Sequence, residues 1–194
     1  MAFTLIGITP DSLTTDQWQL VPALFQSGLS YLYVRQAYSE VLSTTLAQDY
    51  LRPFQRQLII PFAVPDQPYL QHWKEADRQG AAPHSRAFST SIHELAQWPQ
   101  LNGRCELVFY SPLFASISKP GYGPALPLSD QAATIRNLKQ KEERLPRLIG
   151  LGGIHAGTIQ QVKEAGFDGA AVLGTLWQSP DPVETIQQLS NLVH

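Results

Sequence analysis

The sequence predicts an α/β fold built on parallel strands, and three observations carry that prediction. Short apolar runs recur along the chain, amphipathic stretches separate them, and the two kinds of segment alternate throughout. Runs that are continuously apolar, rather than alternating, mark strands covered on both faces. A strand, helix, strand order joins such strands by right-handed crossovers.

The runs, in order, are 3-FTLIGI-8, 31-YLYV-34, 58-LIIPFAV-64, 87-AFSTSI-92, 106-ELVFY-110, 147-RLIGL-151 and 168-DGAAVLG-174. Between the first two, Trp18, Val21, Leu24 and Phe25 share a helical face that ends at Gly28. Ile159, Val162 and Ala165 repeat the pattern and end at Gly166, where a glycine C-cap is expected. Val183, Ile186, Leu189 and Val193 form the last such face.

Seven strands fit either an open doubly wound sheet or an eight-fold barrel. A barrel typically takes ~250 residues, so one of 194 residues would be trimmed. The trimming would fall between strands 58–64 and 87–92. A helix is expected around 68-PYLQHWKEADRQG-80, which leaves 81-AAPHSR-86 as the source of a fourth strand. That stub has a proline and no β-branched residue, so strand four should be short or absent.

Composition narrows the function. The net charge is -2, with no block of like charges, which argues against a nucleic-acid surface. Cys105 is the single cysteine, excluding an internal disulfide and a Cys-based zinc site. No run approaches membrane-spanning length, and 1-MAFTLIGITPDS-12 lacks a basic region and a cleavable apolar core. The expectation is a cytoplasmic protein of one domain, 1–194, with homo-oligomerisation left open.

Binding groups in such folds sit on the loops after the strand C-termini. Three of these loops share one character. The first carries Ser116, Ser118, Lys119 and Gly121; the second Gly152-Gly153 and then 155-HAGT-158; the third Gly174-Thr175. Glycines let backbone N–H groups approach a ligand, and a phosphate suits that combination. Lys119 would add the one full charge.

The strings 110-YSPLFASISKPGYGP-124 and 149-IGLGGIHAGTIQQVKEAGFDGAAVLGTLW-177 resemble the thiamine phosphate synthase family and its thiazole tautomerase branch. The matching pieces are 111-SPLF-114, 116-SISKPG-121, 150-GLGGI-154 and 165-AGFDGAAVLG-174, with 91-SIHE-94 and 32-LYVRQ-36 in support. The resemblance implies a (β/α)8 TIM barrel, trimmed, with strand four short or missing. It implies a phosphorylated small-molecule ligand, thiazole phosphate or thiamine phosphate, held by Ser118, Gly152, Gly153, Gly174 and Thr175. Lys119 would add a loop contact beside Ser118, and Arg35 would bring a guanidinium near the diphosphate of a second substrate.

The departures from the family are also specific. Its strand-two lysine falls at Ala37, and its strand-three metal aspartate falls at Phe62 beside Pro61. Its second metal carboxylate falls in the missing 65–86 stretch with no residue assigned to it, and that corner offers Phe62, Pro65 and Asp66. The family's Mg²⁺ ligands therefore look lost, and no metal or other cofactor is expected. The tautomerase histidine falls at Pro112.

Among other acid–base candidates, His93 follows a strand end and suits proton transfer. Its competing role is to cap a helix beginning at Glu94. His155 either contacts the ligand or merely precedes a helix. Arg35, read as lying on a buried strand, must reach solvent, a partner or a ligand. His72 and His84 read as surface residues, and the four tryptophans as helix faces or loop anchors.

Overall fold

Every apolar run of the sequence contains a strand, although run 58–64 is strand only over its first three residues, and an eighth strand lies where a helix was expected. The computed structural model describes residues 2–64, 66–74, 87–115 and 123–194. The strands are β1 (Thr4–Ile8), β2 (Tyr31–Tyr33), β3 (Leu58–Ile60), β4 (Leu70–Trp73), β5 (Ala87–Ile92), β6 (Cys105–Tyr110), β7 (Arg147–Leu151) and β8 (Gly169–Val172). All pair in parallel with their chain neighbours, and β8 returns to β1 through Thr4↔Gly169 to Gly7↔Val172, closing the barrel. The open doubly wound sheet is thereby excluded.

Strand four is short, as the sequence indicated, but its position corrects the expectation. It comes from 70-LQHW-73, not from 79–86, which lies outside the described residues. Ile59↔Leu70 and Ile60↔Gln71 join β4 to β3, and His72↔Ser89 and Trp73↔Thr90 join it to β5. The trimming falls instead on the β3–β4 connection, 61–69, whose described residues hold no helix.

Tertiary contacts explain why β4 is a strand despite its mixed composition. His72 points into the barrel, 2.8 Å from the Ser89 hydroxyl and with its ring 4.4 Å from that of Tyr33. Trp73 is buried on the other side, with the Arg104 guanidinium 4.8 Å from its ring centre. The surface position expected for His72 is therefore wrong.

The helices are α1 (Thr15–Gln26), α2 (Glu40–Leu46), α3 (Leu128–Lys141), α4 (Ile159–Glu164), α5 (Gly174–Trp177) and α6 (Pro182–Val193). Thr14 and Gln17 form a reciprocal cap at the start of α1, satisfying two backbone donors. Two short 3₁₀ turns, Leu95–Gln97 and Pro99–Leu101, replace a full helix between β5 and β6. No helix among the described residues is long and apolar enough to cross a membrane.

Alternation along the strands sorts the core into two layers. Leu107 and Phe109 of β6 face inward with Ile6, Ile59, Ile149 and Ala171. Val108 and Tyr110 face outward, in the layer under the helices with Leu24, Val162 and Ile186. The interior is packed, so ligand access is limited to the mouth.

Candidate functional site

The strand C-termini form one mouth, and its β7–β8 side is the most fully determined. Gly152 and Gly153 have φ of +109° and +65°. A Cβ on Gly153 would stand 2.7 Å from Phe114 Cβ, and one on Gly152 would meet Pro112 and Leu113 at 3.3 Å. Both glycines are thus required by the close approach of the loop after β6. That loop docks through Leu113 N–H to the Leu151 carbonyl (3.0 Å) and Phe114 N–H to the Gly152 carbonyl (3.3 Å).

Thr175 joins this loop to the next one, its hydroxyl donating to the Ile154 carbonyl at 2.7 Å. Trp177 ties α5 to the end of β1, its indole N–H donating to the Ile8 carbonyl at 2.7 Å. Among the described residues, none accepts from the N–H groups of Gly153, Ile154, Gly174 or Thr175. Gly174 differs from the other two glycines: a Cβ there would meet only Gln178, at 3.7 Å. Packing does not demand a glycine at 174.

Arg35 stands at the opposite side, and the structure revises its setting. It lies beyond the end of β2 with 47% of its side chain exposed, so it is not a buried strand charge. Its backbone N–H donates to Thr9 Oγ1 at 3.1 Å, and its guanidinium donates to Asp11 Oδ1 at 2.6 Å. Beneath it lies Tyr33, whose phenol is pushed up to about 12 by burial, while the Arg35 charge pulls it down.

His93 directly follows β5. Its Nδ1–H donates to the Ser111 carbonyl at 2.8 Å, linking the loops after β5 and β6. The helical turn that follows has Glu94 at its N-cap, with no side-chain cap bond. His155 Nδ1 accepts from the Gly157 N–H at 3.1 Å, a bond local to its own loop.

The floor of the mouth was not legible in the sequence. His72 and Ser89 form a buried polar pair there, with Tyr33 and Phe109 as aromatic neighbours. Assigning residues 70–73 to a strand would have placed His72 on this inner face.

Ser118 and Lys119 lie outside the described residues, as do Ser116 and Gly121. At the end of β3, the Phe62 ring meets that of Tyr38 edge-on at 5.4 Å. An aromatic pair does not suit a hard divalent cation, which takes oxygen ligands. The position of β4 puts Glu75 and Asp77 just after its end in the sequence, both outside the described residues. The stretch after strand four therefore contains carboxylates, contrary to the expectation that it offers none. Among the described residues, no group of three or more His, Cys, Asp or Glu is placed to hold a metal ion.

Eight parallel strands with glycine loops after the seventh and eighth define a (β/α)8 barrel whose ligand-facing end is this mouth. No family model matches the chain. Among curated relatives, the thiamine-phosphate synthase of Bordetella pertussis is 26% identical over 200 residues, covering 91% of this chain and 88% of that protein. The thiamine-phosphate synthase of Listeria monocytogenes is 32% identical over 101 residues, covering 52% of this chain and 44% of that one. The thiamine phosphate pyrophosphorylase structure from Bacteroides thetaiotaomicron superposes with a TM-score of 0.72 at 22% identity, covering 98% and 97% of the two chains. That from Pyrococcus furiosus gives 0.71 at 15% identity, covering 98% and 95%, and the two structures establish the shared fold. Over nine tenths of its length the chain is thus similar to thiamine-phosphate synthases.

Proposed function

We propose that the protein binds a thiazole-type phosphate at the β7–β8 side of its mouth, as a thiamine-phosphate-synthase-like transferase with a weakened diphosphate side. The observation that carries this is the Thr175–Ile154 bond, which sets two glycine loops side by side. Backbone donors at Gly153, Ile154, Gly174 and Thr175 then converge on one anion, aided by Lys119 and Ser118 on the adjacent loop. Gly174 supports the assignment, because its missing Cβ serves closeness to a ligand better than it serves packing.

The second substrate would be a pyrimidine diphosphate, whose leaving group needs charge stabilisation. On this side Arg35 is already paired, Ala37 is apolar, and Phe62 and Tyr38 form an aromatic edge. Loss of one preorganised charge-stabilising group typically costs ~10²–10³-fold in rate. Synthesis should therefore be slow or undetectable, while phosphate binding persists.

An isomerase acting on a thiazole phosphate is the second reading. His93, oriented by its Nδ1–H bond to the Ser111 carbonyl, would be the acid–base group of that reaction. A non-catalytic binder of thiamine-related phosphates is the limit in which neither chemistry operates.

The deciding experiment combines calorimetric titration with thiazole phosphate and assays of both reactions, with Mg²⁺ and with a chelator. Binding with little synthesis and little effect of chelation is the expected result. Brisk synthesis abolished by the chelator would overturn the weakened diphosphate side and point to Glu75, Asp77 or Asp66 as metal ligands. Absence of binding at millimolar ligand would overturn the phosphate site itself.

A further inference from the structure

We propose that Asp11 is a specificity-determining residue of the mouth: by occupying Arg35, it excludes multiply charged phosphate groups from the β1–β2 side. The proposal rests on the mouth binding phosphorylated ligands, and it names the residue that limits which of them enter.

Two bonds fix the geometry. Thr9 is fully buried; its N–H donates to the Tyr33 carbonyl at 2.9 Å, and its hydroxyl accepts from the Arg35 N–H at 3.1 Å. The start of the Arg35 side chain is therefore pinned at the rim, and its charge is felt by the Tyr33 phenol below. With 47% of its side chain exposed, the guanidinium is a cation at the rim beyond the end of β2. Asp11, from the loop after β1, meets it at 2.6 Å with 92% of its own side chain exposed.

Such an exposed ion pair contributes little to folding. Its main consequence is electrostatic, since it converts a cationic rim position into a neutral one. The flank adds no cation to offset this: Ala37, Tyr38, Val41 and Phe62 are uncharged, and Glu40 between them is acidic. A diphosphate arriving at Arg35 must displace the carboxylate or bind beside it, and the repulsion grows with the charge of the ligand. A neutral or singly charged group meets a much smaller penalty.

The test is calorimetric binding of inorganic pyrophosphate to the full chain and to Asp11→Asn, Asp11→Glu, Arg35→Ala and the Asp11→Asn/Arg35→Ala double variant. Thermal unfolding of each checks that the fold is retained. Asp11→Asn should bind pyrophosphate roughly tenfold more tightly at low salt, with the gain shrinking as ionic strength rises. The gain should vanish in the double variant, and Asp11→Glu should restore weak binding. Unchanged or weaker binding by Asp11→Asn overturns the proposal, as does a gain that survives loss of Arg35. A parallel titration with thiazole phosphate separates the two levels of failure. If that ligand binds and Thr175→Val weakens it, only the role of Asp11 has failed. If no variant binds either anion, the phosphate-binding mouth has failed with it.

Discussion

The hydroxyl of Thr175 donates to the carbonyl of Ile154 at 2.7 Å, joining the loop after β8 to the loop after β7. One side-chain hydrogen bond thereby sets the spacing between two sets of backbone donors. Replacing Thr175 with Val keeps the shape and removes the bond. The cost should be about 1 kcal/mol, read as a roughly fivefold loss of thiazole phosphate affinity. Thr175→Ser should retain binding. Equal affinity in Val and wild-type proteins would show that the loops hold their spacing without this bond.

The glycines of the two loops should separate in their roles. Gly153→Ala forces a side chain into φ +65° and onto Phe114, and should destabilise the fold by roughly 1–3 kcal/mol. Gly174→Ala meets only ordinary contact with Gln178, so the melting temperature should stay near wild type while phosphate affinity falls. A Gly174→Ala protein that binds normally would remove residue 174 from the site.

Tyr33 should make the fold sensitive to alkali. Its phenol is raised from 10.0 to about 12 by burial, so the folded state holds that proton more tightly than the unfolded chain does. Its contribution is complete below pH 10 and is lost as pH rises towards 12. Burial shifts Tyr69 and Tyr110 in the same direction. Melting temperature followed across this range should fall, and Tyr33→Phe should make the fall shallower. An unchanged slope would mean that the other tyrosines account for it.

His72→Leu roughly conserves volume inside the barrel but leaves the Ser89 hydroxyl without its ring nitrogen. Destabilisation of about 1–3 kcal/mol is expected from that buried hydroxyl, measured by denaturant unfolding. Thiazole phosphate binding at the glycine loops should survive the change. A variant as stable as wild type would show that Ser89 finds another partner.

How far the fold was legible depended on where the stabilising contacts lie. Strands such as 147-RLIGL-151 declare themselves because both faces are apolar, and Gly28 and Gly166 end their helices at positive φ as their positions suggested. The segment 70-LQHW-73 does not declare itself. Its inward side is a histidine, and the Lys-Glu-Ala sequence after it favours a helix by local propensity. Pairing with Ser89, seventeen residues away, and ring contact with the still more distant Tyr33 override that preference. The same limit applied to the site. The glycine loops were found and do lie together, whereas the Arg35–Asp11 pair spans 24 residues with no motif to announce it.

The short third and fourth strands also determine where the ring is most easily breached. Between β2 and β5 the ladder is held by Leu32↔Leu58, Ile59↔Leu70, His72↔Ser89 and their immediate neighbours, whereas β5 and β6 run together from Ala87↔Cys105 to Ile92↔Tyr110. A closed barrel has no free edge, so opening it means parting some pair of strands, and the fewest bonds break at this seam. Amide protons of β3 and β4 should therefore exchange with solvent through local opening, well before those of β5 and β6, which wait for the whole ring to come apart.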